Sequence, residues 1–197
     1  VHDVVIANNY NYCVNAMLPT VELLDYVLPA ALNGIPDRFG VIRKMPLVIG
    51  FKYYNKITRK EHKRFVPSFG LLAYLLYGGV EFPLKEGIVK VKLGESITVN
   101  SPRFGKVVVP IDEKGNLYLN CENKLNDFTR VSFFDTSSHA YISSELARKA
   151  SLLSSRINNK IVIVALTATG NDVGRLPLGG PVPLVLAHLT VLANLLN

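Results

Sequence analysis

The strongest hydrophobic pattern in the chain is a continuous apolar run near its C-terminal end. Residues 160–166 are Lys-Ile-Val-Ile-Val-Ala-Leu, and a run rich in β-branched residues is typical of a strand covered on both faces. A polar loop and a glycine- and proline-rich stretch follow, and apolar residues then recur at helical spacing from Leu184 to Leu196, with Pro183 suited to the first turn. We therefore predict a central strand, a polar loop and a buried final helix.

The upstream patterns predict two further helices and a group of short strands. Pro67-Ser68 opens an apolar helical pattern that Gly78-Gly79 ends, and a further amphipathic helix is predicted over 138–153. Residues 41–51 predict a strand pair or one bent strand, in which Pro46 requires an edge or a bulge. Four short β candidates then predict a small antiparallel section between Ile88 and Cys121; they are 88–91, 96–99, 106–109 and 116–121.

Together these elements predict one domain over residues 1–197 with an α/β fold in three layers. The central sheet is expected to be mostly parallel and to include Ile161 to Leu166, with the antiparallel section as a smaller elaboration. A parallel strand needs neighbours on both sides, so we also expect an incompletely covered sheet edge near it, filled by another chain or a partner segment.

The loop after the predicted central strand is the candidate ligand site. Open α/β sheets place ligand crevices at the carboxyl ends of their strands, and small polar side chains collect there in this chain. The candidate ligand contacts are Thr167, Thr169, Asn171, Asp172 and Arg175. Asp172 and Arg175 could bind a small solute, with Arg175 favouring an anion, or could tie the loop down through an internal ion pair. His188, on an otherwise apolar helix, is interpreted as a core histidine satisfied by a neighbour.

The net positive charge of the chain is only weak support for a nucleic-acid partner. The net charge is +7, and a basic cluster lies between Lys52 and Arg64. No recognition helix, zinc spacing or aromatic RNA-binding strand accompanies the cluster, so a solvated hairpin tip explains it better. We expect no nucleic-acid partner, and a basic nucleic-acid binder remains a minor alternative.

The sequence predicts neither a metal nor a cofactor. Its four histidines include no pair at zinc spacing, and Cys13 and Cys121 suit either two buried thiols, which we favour, or one long-range disulfide. The alternative from another class is a small-molecule enzyme that uses Asp172, Arg175 and His139. No apolar stretch reaches the roughly 20 residues that span a bilayer.

Several motifs, in the same order, resemble the type-two CHASE domain, the extracytoplasmic sensory module of bacterial cyclases and kinases. The C-terminal part carries the run 160–164, Thr167-Ala168-Thr169-Gly170, Asp172, Pro177-Leu178-Gly179, Pro183, His188 and Asn194-Leu195-Leu196. The upstream matches are Asp37, Gly40, Val41, Arg43, Pro46 and Leu47, then Pro67-Ser68, and then Pro110-Ile111-Asp112 with Gly115. The departures include Ala165 in place of a glycine and Leu176 in place of a threonine.

The resemblance implies a non-enzymatic input domain outside the cytoplasmic membrane. The expected partners are an unknown small-molecule signal, a membrane tether through segments outside this chain, and a second copy of the full-length protein in a homodimer. The output would be an adenylate cyclase, a histidine kinase or a diguanylate cyclase. Because the family's opening acidic strand and Trp-Pro-x-Arg segment have no counterpart, and the chain opens on Val1 without a Trp, we expect the N-terminal third of the domain to be missing.

Overall fold

The computed structural model describes residues 5–6, 28, 30–55, 59–85, 87–122, 125–131, 157–167, 172–177 and 179–197. These residues form ten short strands, two helices and one 3₁₀ turn, Leu125–Asp127. The strands are β1 Val5–Ile6, β2 Lys44–Pro46, β3 Val48–Asn55, β4 Lys60–Pro67, β5 Val89–Lys92, β6 Ser96–Ser101, β7 Gly105–Pro110, β8 Asn116–Tyr118, β9 Val173–Arg175 and β10 Pro181–Pro183. The helices are α1 Phe69–Tyr77 and α2 Val185–Leu196.

The strands form four separate small sheets. One has four strands in the order β1-β5-β6-β7, and the others are the pairs β2–β8, β3–β4 and β9–β10. β1 runs parallel to β5, and every other strand pair among the described residues is antiparallel. Side chains along β5 and β6 alternate between the core and the surface, which gives these strands one buried face.

Helix α1 begins where its sequence signals place it. The Ser68 side chain accepts a hydrogen bond from the Leu71 amide at 3.3 Å and so satisfies one of the free N–H groups of the first turn. Gly78 then caps the C-terminal end through its own N–H. The predicted helix over this stretch is confirmed.

The two helices pack against each other at a glycine. A Cβ built on Gly70 of α1 would lie 2.6 Å from Cγ1 of Val191 and 3.0 Å from the backbone oxygen of His188, both on α2. The missing side chain therefore allows a backbone approach that no larger residue permits. Around this contact lies the core, whose most deeply buried members include Tyr74, Leu75 and Met45.

The predicted central strand and parallel three-layer sheet are wrong. Residues 161–167 are described but belong to no strand, and Val162, Val164 and Leu166 are 57%, 73% and 66% exposed. Ile161 and Ile163 alone in this run pack against the core. The segment therefore lies at the surface with one side packed on the core. An apolar run by itself does not show whether one side or both sides of a segment are covered.

Of the other local predictions, some are confirmed, some are corrected, and some concern residues that the structure does not describe. The four short strands between Ile88 and Cys121 are confirmed as β5 to β8, although β8 pairs with β2 and not with β7. The final helix is confirmed, but it begins at Val185, and Pro183 lies in β10 instead of the first turn. The predicted helix over 138–153 lies outside the described residues, as does Cys13. Cys121 is a buried free thiol whose pKa is raised by burial.

A single carboxylate organises the turn between β7 and β8. Asp112 accepts hydrogen bonds from the Lys114 amide at 2.9 Å, from the Asn116 amide and side chain, and from Lys44 Nζ at 2.7 Å. Burial alone would raise the pKa of Asp112, but the hydrogen bonds from Asn116, Lys44 and Lys114 outweigh that cost and hold the pKa at about 2. Gly115 completes the turn in the left-handed region at φ 80°.

Among the described residues, neither helix has both the length and the apolar character needed to cross a bilayer.

Replacing Gly70 should test the helix contact. We expect Gly70→Ala to lower the free energy of unfolding by about 1–3 kcal/mol, because the new methyl group overlaps Val191 even though alanine favours helix by about 1 kcal/mol. Urea denaturation measures this. Gly180→Ala is the matched control, since nothing lies within 4 Å of the Cβ position there. A double variant Gly70→Ala/Val191→Ala should cost less than the sum of the single changes, and strict additivity would contradict the contact.

The charge on Asp112 should appear in the acid dependence of stability. Because the folded pKa is about 2 and the ordinary value is 3.8, the ionised carboxylate stabilises the fold above pH 4, and that stability is lost as the pH falls towards 2. We expect Asp112→Asn to lower the free energy of unfolding by about 1–2 kcal/mol at pH 7 and to remove this acid-dependent part. Glu113→Gln, an exposed neighbour, is the control for denaturation at pH 7, 4 and 2.5. Equal acid profiles of Asp112→Asn and the wild type would contradict the assignment.

Candidate functional site

A cavity of about 250 Å³ lies between the segment 32–45, strand β9 and the first half of α2. The described residues that line it are Leu32, Gly34, Pro36, Gly40, Ile42, Met45, Val173, Gly174, Leu184, Ala187 and His188. Of these, only His188 has a side-chain nitrogen or oxygen. The cavity is therefore an apolar space with one polar side chain in its described wall, a composition typical of small-molecule pockets.

Two backbone hydrogen bonds hold the β9–β10 hairpin between the other walls. The Ile42 amide donates to the Arg175 carbonyl at 2.8 Å, and the Leu184 amide donates to the Asp172 carbonyl, also at 2.8 Å. Gly174 lies between them, and a Cβ there would overlap the Leu184 side chain. The hairpin thus contacts the segment 32–45 at one end and the start of α2 at the other.

The irregular wall from Pro36 to Arg43 is held by Asp37. Its carboxylate accepts from the amides of Phe39 at 2.8 Å and Val41 at 3.0 Å, and from Arg43 Nε at 2.8 Å. The Val41 amide, together with the Arg43 guanidinium and the Phe39 amide, lowers the pKa of Asp37 and outweighs the opposing effect of burial. Gly40 closes the turn at φ 74°. These residues are therefore spent on building the wall.

His188 is the buried polar group of the site. It is 6% exposed, and its ring meets the Phe69 ring edge-on with centroids 5.7 Å apart. Its Nδ1 is buried without any hydrogen-bond partner. The interpretation of His188 as a core histidine agrees with its burial, whereas Nδ1 is left without a partner, which costs about 1–3 kcal/mol.

Burial keeps the His188 ring neutral. Desolvation lowers the pKa of His188 below its ordinary 6.5, and the Leu32 backbone and the negative charge of Asp172 oppose this only in part. Asp172 itself is exposed and lies at the start of the hairpin with φ 44°. The site therefore combines an uncharged buried imidazole with a carboxylate at the surface.

The five residues predicted as ligand contacts do not form the cavity wall as a group. Thr167, Asp172 and Arg175 are exposed, and Thr169 and Asn171 lie outside the described residues. Asp172 and Arg175 flank Val173 and Gly174, which line the cavity, and no ion pair joins these two charged side chains. Of the two interpretations left open for this pair, the internal ion pair is thus not formed.

The polar contact that sequence reasoning missed is His188 itself. Leu184, Ala187 and His188 stand at i, i+3 and i+4 on one helical face, and that face forms the cavity wall. A lone imidazole on an apolar face was a visible signal. What the pattern could not show is that the face borders an open space and not packed side chains.

In the described part of the chain, no three His, Cys, Asp or Glu side chains converge as metal ligands would. His139, named above in the enzyme alternative, lies outside that part.

The comparisons with known proteins give one family match. The model of the CHASE2 domain matches residues 25–197, which confirms the resemblance to the type-two CHASE domain. No curated protein and no solved structure matches the chain.

The neutral state of His188 should be visible in the pH dependence of stability. The unfolded chain takes up a proton near pH 6.5 but the folded ring only at lower pH, so acidification through this window favours the unfolded state. We expect the free energy of unfolding of the wild type to fall between pH 7.5 and 5.5 by more than that of His188→Leu, measured by urea denaturation. A ring pKa at or above 6.5 in an NMR titration of the folded protein would contradict this.

Proposed function

This chain belongs to the CHASE2 domain family, whose domains are extracytoplasmic sensory domains of signalling proteins, and we propose that it binds a small-molecule signal in the cavity beside α2. In this proposal the domain is the input of a bacterial transmembrane protein. Its output is an adenylate cyclase, a histidine kinase or a diguanylate cyclase, and the domain itself is not an enzyme. The domain lies on the extracytoplasmic face of the cell membrane, and the full-length protein is tethered to that membrane, forms a homodimer and binds no nucleic acid.

The observation that carries the proposal is that one hairpin forms both a wall of the cavity and the connection to the final helix. Val173 and Gly174 line the cavity, and eleven residues after Gly174 the chain enters α2 at Val185. The hydrogen bond from the Leu184 amide to the Asp172 carbonyl closes this connection at 2.8 Å. A molecule held against the hairpin therefore acts on the helix through a short covalent path.

The make-up of the site supports binding more than catalysis. Acid–base or nucleophilic chemistry needs at least two converging polar groups, and the described cavity wall offers the single imidazole of His188. Asp172, which precedes β9, and Arg175, the last residue of β9, are the charged residues of the enzyme alternative, and both are exposed. The geometry thus favours a receptor pocket.

Helix α2 is suited to pass on a change at the site. Its N-terminal half forms the cavity wall, while Val191 packs on Gly70 and the helix side of the core. Displacing Leu184 or Ala187 would therefore disturb a close backbone contact that tolerates little adjustment. A sensory switch requires that the signal binds one placement of the helix more tightly than another.

The polar residues of the hairpin and the preceding loop are proposed to contact the part of the signal that faces solvent. The set consists of Thr167, Thr169, Asn171, Asp172 and Arg175. Thr167, Asp172 and Arg175 are exposed, and no ion pair joins Asp172 to Arg175, so these side chains can contact a ligand.

We predict that Asp172→Ala/Arg175→Ala leaves the domain folded and abolishes the signal-dependent change of the output enzyme. Both side chains are exposed, so we expect the free energy of unfolding to change by less than about 0.5 kcal/mol. The measurement is output activity of the full-length protein across the growth conditions under which the wild-type output changes.

The matched control is Lys92→Ala/Glu95→Ala, which also removes one positive and one negative exposed side chain, here an ion pair of 2.6 Å between β5 and β6. It should respond as the wild type does. A normal response of the Asp172/Arg175 double variant would place the sensory contacts elsewhere, and its unfolding would make the pair structural.

A further inference from the structure

The hairpin of strands β3 and β4 carries most of the net positive charge of the chain. Residues 51–64 contain six lysines or arginines and a single acidic residue, Glu61, while the whole chain has a net charge of +7. The charge begins where the burial ends, because Val48, Phe65 and Val66, at the end of the hairpin away from its turn, pack in the core. We call residues 51–55 and 59–64 the basic hairpin end.

The strand register brings like charges together across this hairpin. Lys52 is paired directly with Lys63, and residues in such positions have Cβ atoms about 4.5–5.5 Å apart. Glu61 is paired with Tyr54 on the same face and supplies one negative charge against two positive ones. Like charges directly opposite each other destabilise a strand pair, so an anion bound between them would stabilise the hairpin.

Positive charge lies on both faces of the hairpin and at its turn. Successive residues of a strand alternate between faces, so Lys60 and Arg64 lie on the face opposite to the Lys52–Lys63 pair. Arg59 and Lys60 are exposed, and neither forms an ion pair with a described residue. β3 and β4 form a sheet of two strands, so no third described strand covers their edges. One flat surface could meet only one of these faces, whereas a layer of mobile anions can surround both.

Two tyrosines accompany these charges and favour a lipid layer as the source of the anions. Tyr53 and Tyr54 are neighbours in β3 and so lie on opposite faces. A tyrosine side chain has an apolar ring and a polar tip, and it is enriched where a membrane meets water. Lys and Arg near an anionic membrane surface add electrostatic attraction to that preference.

From the register, the charge and the tyrosines, we propose that the basic hairpin end binds the anionic headgroups of a phospholipid membrane. The proposal rests on the proposed position of the domain at the membrane surface and adds a direct contact of the domain with that surface. The contact fixes which side of the domain faces the membrane. A nucleic acid also presents phosphates, but the extracytoplasmic place of the family favours lipid.

Vesicle binding by the wild-type 197-residue chain tests the proposal. The chain is mixed with vesicles of phosphatidylcholine alone, or with about one third phosphatidylglycerol, and its partition coefficient is measured by sedimentation. We expect binding to the anionic vesicles only. Raising the salt from about 0.1 M to about 1 M shortens the Debye length from about 10 Å to about 3 Å and should abolish this binding.

The variant Lys52→Gln/Lys63→Gln should lower the partition coefficient about 10- to 30-fold, since each basic residue near an anionic surface contributes about fivefold. The matched control is Lys90→Gln/Lys106→Gln, which removes the same charge from exposed lysines of β5 and β7 and should change the coefficient less than about twofold. Lys63→Glu places opposite charges at the paired positions, so it should not lower the melting temperature although it weakens binding. This variant separates loss of binding from loss of folding.

Three results would overturn the proposal. They are equal partition into both kinds of vesicle, equal losses of binding in the two lysine double variants, and tighter binding to duplex DNA than to anionic vesicles at equal phosphate concentration and salt. The last result would assign the basic hairpin end to a nucleic acid.

The signal response of the output enzyme tests a separate claim. If anionic vesicles bind as expected while Asp172→Ala/Arg175→Ala still responds normally, the membrane contact stands and the proposed sensory contacts fail. If the vesicles do not bind while that double variant loses its response, the membrane contact fails and the sensory contacts stand.

Discussion

The approach of α2 to α1 at Gly70 is the constraint on which the rest of the structure depends. A side chain at position 70 would meet both Val191 and the backbone of His188, so the absence of a Cβ sets how close the two helices lie. The same contact places the face of Leu184, Ala187 and His188 opposite the segment 32–45. The position and depth of the cavity are therefore consequences of helix packing. The imidazole is buried because α2, which carries it, lies close against α1.

Two carboxylates hold the irregular segments in place through hydrogen bonds. Asp37 and Asp112 each accept two backbone amides and a basic side chain, and each stands before a glycine with positive φ. Backbone amides in such turns have no partner in a strand or helix, so a carboxylate that accepts several at once replaces the missing ladder. Both lie in stretches that resemble motifs of the type-two CHASE domain, and in this chain both carboxylates have a structural role in their turns.

The elements that could be predicted from sequence are those whose signals are local. Ser68 before an apolar helical pattern marks the start of α1, and period-two alternation marks β5 and β6. The segment 161–166 shows the limit, because its apolar run is typical of a strand covered on both faces although Val162, Val164 and Leu166 are exposed. Burial of a face depends on what packs against it, and that information lies in residues distant along the chain. For the same reason the loop after this segment could be proposed as a site from composition, whereas the unpartnered nitrogen of His188 needed the structure.

The far end of α2 is held by a side-chain amide. Asn194 accepts from the Asn120 amide at 2.9 Å and donates to the Asn120 carbonyl at 3.0 Å, in the manner of a strand pair made by one side chain. A helix of twelve residues is about 18 Å long, and this one is fixed at one end and borders a cavity at the other. The helix is therefore held at two places, at the Gly70 contact in its middle and at Asn194 near its end, while its first turn borders the cavity. With two such attachments the first turn is the part of α2 that can yield without breaking either of them.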